Sequence, residues 1–181
     1  MNTKWKAGIV RAAWVVGLVA ILSSCATSKE VPDPDLTAAS YGAADKLIEG
    51  SQYGLARDRN IVVATFVNIN DLEDSSTLGR LIAEQVSSRL TQVGYRVVEL
   101  KLRKNIFMMQ RGGEFVLSRA VQDVAAAHNA QAVVAGVYAV ARDKVFVKSA
   151  VIQPVSAMVM SAYDYELPIG RNMRALLYAR R

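Results

Sequence analysis

Ile61-Val62-Val63-Ala64-Thr65-Phe66-Val67 is a near-continuous apolar run rich in β-branched residues. Runs of this kind belong to strands buried on both faces, as at the centre of an α/β sheet. Downstream lies an acidic, serine-rich loop, Asn70 to Ser76. Leu78, Leu81, Ile82, Val86, Leu90 and Val93 then recur at helical spacing. Ser75, Ser76 or Thr77 can cap that helix at its start, and Gly94 suits a left-handed cap at its end. Tyr95 to Leu100 reads as a second strand. Lys101 to Gly113 is basic and Met-rich and shows no periodicity.

Ser118 can cap a third helix with Val121, Val124 and Ala125 inward and Asn129 as its stop. Ala132 to Ala141 is a third strand. Arg142-Asp143-Lys144 is a tight polar break, so Val145 to Ile152 pairs back as a hairpin. Pro154 ends that strand. A fifth follows at Met158 to Tyr165, stopped by Pro168 and Gly170, and Asn172 to Arg181 reads as a short basic helix. Upstream, Thr37 to Tyr53 is helix-like, with Leu47 and Ile48 its strongest buried pair and Gly42, Gly50 and Gly54 weakening it.

Two βαβ units require right-handed crossovers, which makes strands one to three parallel. The hairpin turns strand four antiparallel and strand five parallel again. The expected fold is α/β: a three-layer α/β/α sandwich on a mixed five-stranded sheet ordered 2-1-3-4-5.

Towards the N-terminus, Lys4, Lys6 and Arg11 precede an apolar stretch, Ala12 to Leu22, and then Ser23-Ser24-Cys25. This is the layout of a secretory signal. Its apolar core of 11 residues is short of the roughly 20 that a spanning helix needs. The only cysteine, Cys25, follows two small residues, and the segment resembles a bacterial lipoprotein signal cut between Ser24 and Cys25. That resemblance implies a diacylglyceryl thioether on Cys25 and an N-acyl chain of the palmitate kind. Ala26, which is not aspartate, implies delivery to the outer membrane. Several acyl chains anchor firmly, at about 0.8 kcal/mol per buried methylene. The expected organisation is a signal over residues 1–24, the lipidated cysteine and a polar tether over 25–36, a folded domain over 37–170, and a basic C-terminal helix or tail over 171–181. Pro32-Asp33-Pro34-Asp35 suits the tether, because neither proline can extend a helix or a central strand.

The net charge of +6 loses Lys4, Lys6 and Arg11 with the signal, leaving +3, which does not imply a nucleic-acid binder. A lone lipidated cysteine allows no intrachain disulfide and no thiol nucleophile. One histidine, His128, cannot build the usual zinc ligand sets, and a C-terminal helix position explains it. There is no G-x-S-x-G elbow. Gly112-Gly113 forms no phosphate loop. Asp71, Glu73 and Asp74 follow the first strand, where α/β proteins bind ligands; they read first as solvated carboxylates favouring the next helix, second as a cation loop. Neither an enzyme nor a cofactor is expected.

Interfaces are better candidates. Lys101, Arg103, Lys104 and Arg111 read as a solvated loop or as contacts for an acidic partner or lipid headgroups. Phe107, Met108 and Met109 either fold onto the core or form an adaptable contact surface. Tyr163 and Tyr165, alternating with acids in Tyr163-Asp164-Tyr165-Glu166, either pack together against a helix or dock a further subunit by strand addition. A homo-oligomer stays open.

Four segments together resemble the FlgO family: Thr77-Leu78-Gly79-Arg80-Leu81-Ile82-Ala83-Glu84-Gln85-Val86, Gly94-Tyr95-Arg96-Val97-Val98-Glu99, Gly113-Glu114-Phe115-Val116-Leu117-Ser118-Arg119, and Tyr163-Asp164-Tyr165-Glu166-Leu167-Pro168. The similarity runs from about Ile48 to Pro168. The fold also resembles the amino-terminal domain of TolB and the periplasmic activators of peptidoglycan synthases. The resemblance implies a non-enzymatic outer-membrane lipoprotein of the flagellar basal body, needed for motility, whose partners are other basal-body or outer-membrane proteins. The alternative it leaves is a periplasmic lipoprotein regulator of a wall synthase or secretion component. It carries over no catalytic residue.

Overall fold

The computed structural model describes residues 31–51, 54–72, 76–100, 106–109 and 115–178. In chain order the elements are α1 (Leu36–Glu49), β1 (Asn60–Ala64), β2 (Val67–Asn68), α2 (Thr77–Gln92), β3 (Arg96–Leu100), β4 (Phe107–Met109), β5 (Phe115–Leu117), α3 (Arg119–Ala127), β6 (Ala132–Val140), β7 (Lys144–Ile152), β8 (Val159–Pro168) and α4 (Arg171–Tyr178). The main sheet runs β3-β1-β6-β7-β8, with β2 also paired to β6. β1 is parallel to β3 and β6, while β7 is antiparallel to both its neighbours. This is the expected 2-1-3-4-5 order with strand four reversed.

The layers follow from strand alternation. Ile61, Val63, Val134, Val145 and Val147 point to one face, where α1, α2 and α4 supply Leu47, Leu78, Ile82, Val86, Leu90 and Met173. Val62, Ala64, Val133 and Ala135 point to the other, against Val121 and Ala125 of α3 and Phe107 and Leu117 of a two-stranded hairpin. That β4–β5 hairpin was not expected: three-residue strands are too short to display a period, and β4 falls in the stretch from Lys101 to Gly113 that reads as irregular.

The helix ends carry the anticipated chemistry. Ser76 and Ser118 cap α2 and α3, accepting from the N–H groups of Gly79 and Val121. Past α2, Gly94 sits at φ +92, and the Tyr95 N–H returns to the Leu90 carbonyl at 3.0 Å. Asn129, at φ 48, closes α3 in the same way, with His128 as its C-terminal cap.

Two departures matter. First, the apolar run is interrupted. Val63 pairs with Val134 and Val67 with Val137, so β1–β2 spends one residue more than β6 across the same interval. The extra residue resets the alternation and turns Phe66, fully buried, into the first core. Two glycines leave room for it. A Cβ on Gly136 would lie 2.2 Å from the Phe66 ring, and one on Gly79 would lie 2.1 Å from the Phe66 carbonyl oxygen. Second, Asp33 and Asp35 in the proline-bearing segment are both engaged. Asp35 accepts from the Ala38 N–H and caps α1. Asp33 accepts from the Asn172 and Met173 N–H groups, each at 3.0 Å, and so starts α4 from far away in sequence. The segment read as tether is therefore attached to the domain from Asp33 onward.

Gly136→Ala should destabilise by about 1–3 kcal/mol through overpacking, and Phe66→Ala by about 3–5 kcal/mol. Because the two groups touch, the double variant should cost less than the sum; urea unfolding of all three checks this. Asp33→Ala should speed amide exchange across residues 171–178 while leaving the β6–β7 ladder protected. The bonds from the Asn172 and Met173 N–H groups hold the Asp33 carboxyl below its ordinary pKa, so the same loosening should set in as pH falls through the carboxylate range.

Candidate interaction surface

Among the described residues, the second sheet face is only half covered. α3 packs over β1, and beyond it the β6–β7–β8 end presents two cross-strand rows, Val137–Lys148–Asp164 and Ala139–Phe146–Glu166. With Ile69 these residues line a concavity of about 390 Å³. Its floor is apolar: Ile69, Val137 and Ala139 are half-buried, and Phe146 is 46% exposed. Its rim is charged, with Lys148 opposite Asp164 and an ion pair between Lys144 and Glu166. That pair is exposed on both sides and fixes geometry more than it stabilises. An aromatic anchor on an apolar floor inside a mixed-charge rim suits a protein partner's apolar side chain.

The sequence signal for Phe146 is its parity. In Lys144-Val145-Phe146-Val147-Lys148 the two valines are buried and the two lysines exposed. Phe146 is the apolar residue on the lysine side, a place the sequence analysis passed over.

The expected interface residues lie elsewhere. Phe107 is 7% exposed and belongs to the second core, so of its two readings the structure selects folding onto the core. Met108 and Met109 lie in β4 with side chains outside the described set. Tyr163 and Tyr165 face the first core, stacked with ring centroids 5.9 Å apart, and it is Asp164 and Glu166 that face the concavity. β8 is nonetheless a sheet edge. Ser24, Cys25, Glu73, Asp74, Lys101, Arg103, Lys104, Arg111, Gly112 and Gly113 lie outside the described residues. Asp71 is exposed at the turn after β2. Among the described residues no cluster of His, Cys, Asp or Glu could hold a metal ion.

Sequence reasoning also missed a buried hydroxyl cluster under α1. The Ser40 hydroxyl, fully buried, donates to Gln85 Oε1 at 2.9 Å, and Gln85 Nε2 donates to Thr37 Oγ1 at 3.0 Å. Tyr165 Oη and Ser149 Oγ are buried beside it with no hydrogen bond of normal geometry. Burial pushes the Tyr165 phenol up to about 12, against a smaller opposing pull from the neighbouring hydroxyls of Ser149 and Ser40.

A phenol whose folded pKa exceeds its unfolded value of about 10 favours folding while neutral. Its contribution is intact below that value and lost as pH climbs towards about 12. Tyr165→Phe should therefore flatten the alkaline decline in stability, and at neutral pH it should be neutral to about 1 kcal/mol stabilising, since an unpaired hydroxyl is removed. Urea melts near neutrality and at high pH measure both.

The C-terminal domain of LpoB from Salmonella enterica superposes with a TM-score of 0.53 at 11% identity, covering 76% of this chain and 100% of that one. The LpoB C-terminal domain from Escherichia coli gives 0.49 at 10% identity over the same shares. A PelC dodecamer from Paraburkholderia phytofirmans gives 0.46 at 16% identity, covering 64% of this chain and 76% of that one. No curated protein matches the chain significantly. The Salmonella superposition shows a shared fold. A family model described as FlgO protein matches residues 41–172, a span that runs from within α1 to the start of α4 and takes in every described strand. On that match, the chain belongs to the FlgO family.

Proposed function

We propose that the protein is an outer-membrane lipoprotein, held by acyl chains on Cys25, that serves as a non-enzymatic structural or assembly component of the flagellar basal body and is needed for motility. The observation that carries this reading is the family match over residues 41–172. The lipoprotein-type segment ending at Cys25 supports the anchorage, because an 11-residue apolar core is too short to span a bilayer. The half-open sheet face supports a binding role: Phe146 is the aromatic contact, and the surrounding charges set orientation. The fold shared with the LpoB domain is an argument about architecture. It does not by itself favour regulation of a wall synthase.

Deleting the gene should reduce swimming and disturb the flagellar base in electron micrographs. A deletion strain with intact bases and full motility overturns the proposal. Phe146→Thr keeps a strand-forming residue opposite Glu166 and should cost no more than about 1 kcal/mol, yet fail to restore motility to the deletion strain. Cys25→Ser should change the mass of the chain, which loses the lipid and keeps the uncut residues 1–24, and should remove it from the outer-membrane fraction. Recovery of wall-synthesis enzymes, without flagellar proteins, on the tagged chain would favour the regulator instead.

A further inference from the structure

The positive charge of this protein is concentrated at one end. The last eleven residues, 171–181, contain four arginines and no acid, whereas the rest of the chain from Cys25 onward sums to −1. α4 orients part of that charge. Met173 is buried, and Leu176 and Leu177 pack on the first core. Arg171, Arg174, Ala175 and Tyr178 are all exposed, and their spacing places them on a single outward stripe. Tyr178, 68% exposed, ends the stripe with a side chain of the type enriched at membrane–water boundaries. Arg180 and Arg181 follow in the sequence.

This stripe starts beside the attachment point of the N-terminal segment. Asp33 holds the Asn172 and Met173 N–H groups. Seven residues lie between Cys25 and Asp33, so the two are at most about 28 Å apart along an extended chain. A lipidated Cys25 would keep the start of α4 within that distance of the acyl-chain attachment, and such a short leash raises the effective concentration of the stripe at the bilayer.

We propose that the exposed stripe of α4, Arg171, Arg174 and Tyr178, docks on an anionic phospholipid surface and fixes the orientation of the domain on the membrane that anchors it. The occupant is a lipid surface because the stripe pairs arginines with an exposed tyrosine, as interfacial helices do. Each basic residue near an anionic surface adds about 1 kcal/mol, modest alone but sufficient to orient a body already tethered. The inference rests on the reading of Cys25 as the lipid anchor.

Both tryptophans, Trp5 and Trp14, precede Cys25, so Tyr178→Trp gives the mature chain a single tryptophan, which is excited selectively at the red edge beyond tyrosine absorption. The mature lipoprotein carrying that substitution is reconstituted into vesicles of phosphatidylcholine alone or with phosphatidylglycerol, some containing brominated acyl chains. The expected result is a blue-shifted emission, quenched by bromine, in the anionic vesicles only. Raising salt to about 1 M, where screening shortens to about 3 Å, should reverse it. Arg174→Glu should abolish it and Arg174→Lys should keep it, with unchanged circular dichroism in both. Protein that floats with vesicles of either composition but shows identical, unquenched emission overturns this inference and leaves the anchor standing. Emission that responds only when a flagellar extract is added assigns the stripe to a protein and likewise overturns it. Protein that does not float with any vesicle overturns the anchor reading, and the inference falls with it.

Discussion

The packing of Phe66 against two glycines organises this domain. A strictly alternating strand would turn residue 66 to the α3 side. One extra residue in β1–β2 relative to β6 turns it to the α1–α2 side instead. The ring then occupies the place of a side chain at Gly136, in the middle of β6, and the carbonyl lies against Gly79 in the first turn of α2. Strand, helix and central neighbour are locked at one point. A close-packed interior makes such a contact specific, because there is no free volume into which a misplaced ring could move.

The consequence is an asymmetric sandwich. The α1–α2–α4 face is deep, with twenty buried residues in one cluster. Among the described residues the opposite face has a cluster of twelve, centred on α3 and the β4–β5 hairpin, and they cover the β6–β7–β8 end only in part. The strands there alternate in a different sense from a wholly buried strand: β7 reads charged, apolar, aromatic, apolar, charged from Lys144 to Lys148. A surface built from extended backbone is rigid and loses little conformational entropy on binding. That suits the binding role proposed for this face.

Polar contacts join elements that are distant in sequence as well as neighbouring ones. Aspartates 33 and 35, two residues apart, start two different helices, one adjacent in sequence and one across the whole chain. Arg89 makes a paired contact with Asp45, both bonds at 2.9 Å, joining α2 to α1. Beneath them the Ser40, Ser149 and Tyr165 hydroxyls sit in the core with Tyr165 kept neutral by burial. Each of these links fixes how elements meet.

Period and punctuation were enough to read the sheet order, the reversed strand, the serine caps and the glycine after α2, because each rests on neighbours within a few residues. The expected fates of the aromatic residues were harder to read. Phe107, Tyr163 and Tyr165 look equally available for contact in the sequence; the side of the sheet each one faces, and what stands opposite, decides that Phe107 is core and that the tyrosines back onto the first cluster. Phe146 carried its signal in parity alone. By itself the chain determined its main helices and strands and their order. Only the tertiary structure decided the bulge that turns Phe66, the long-range cap by Asp33 and the half-open face, since each is set by groups that meet in space after the chain has crossed the sheet.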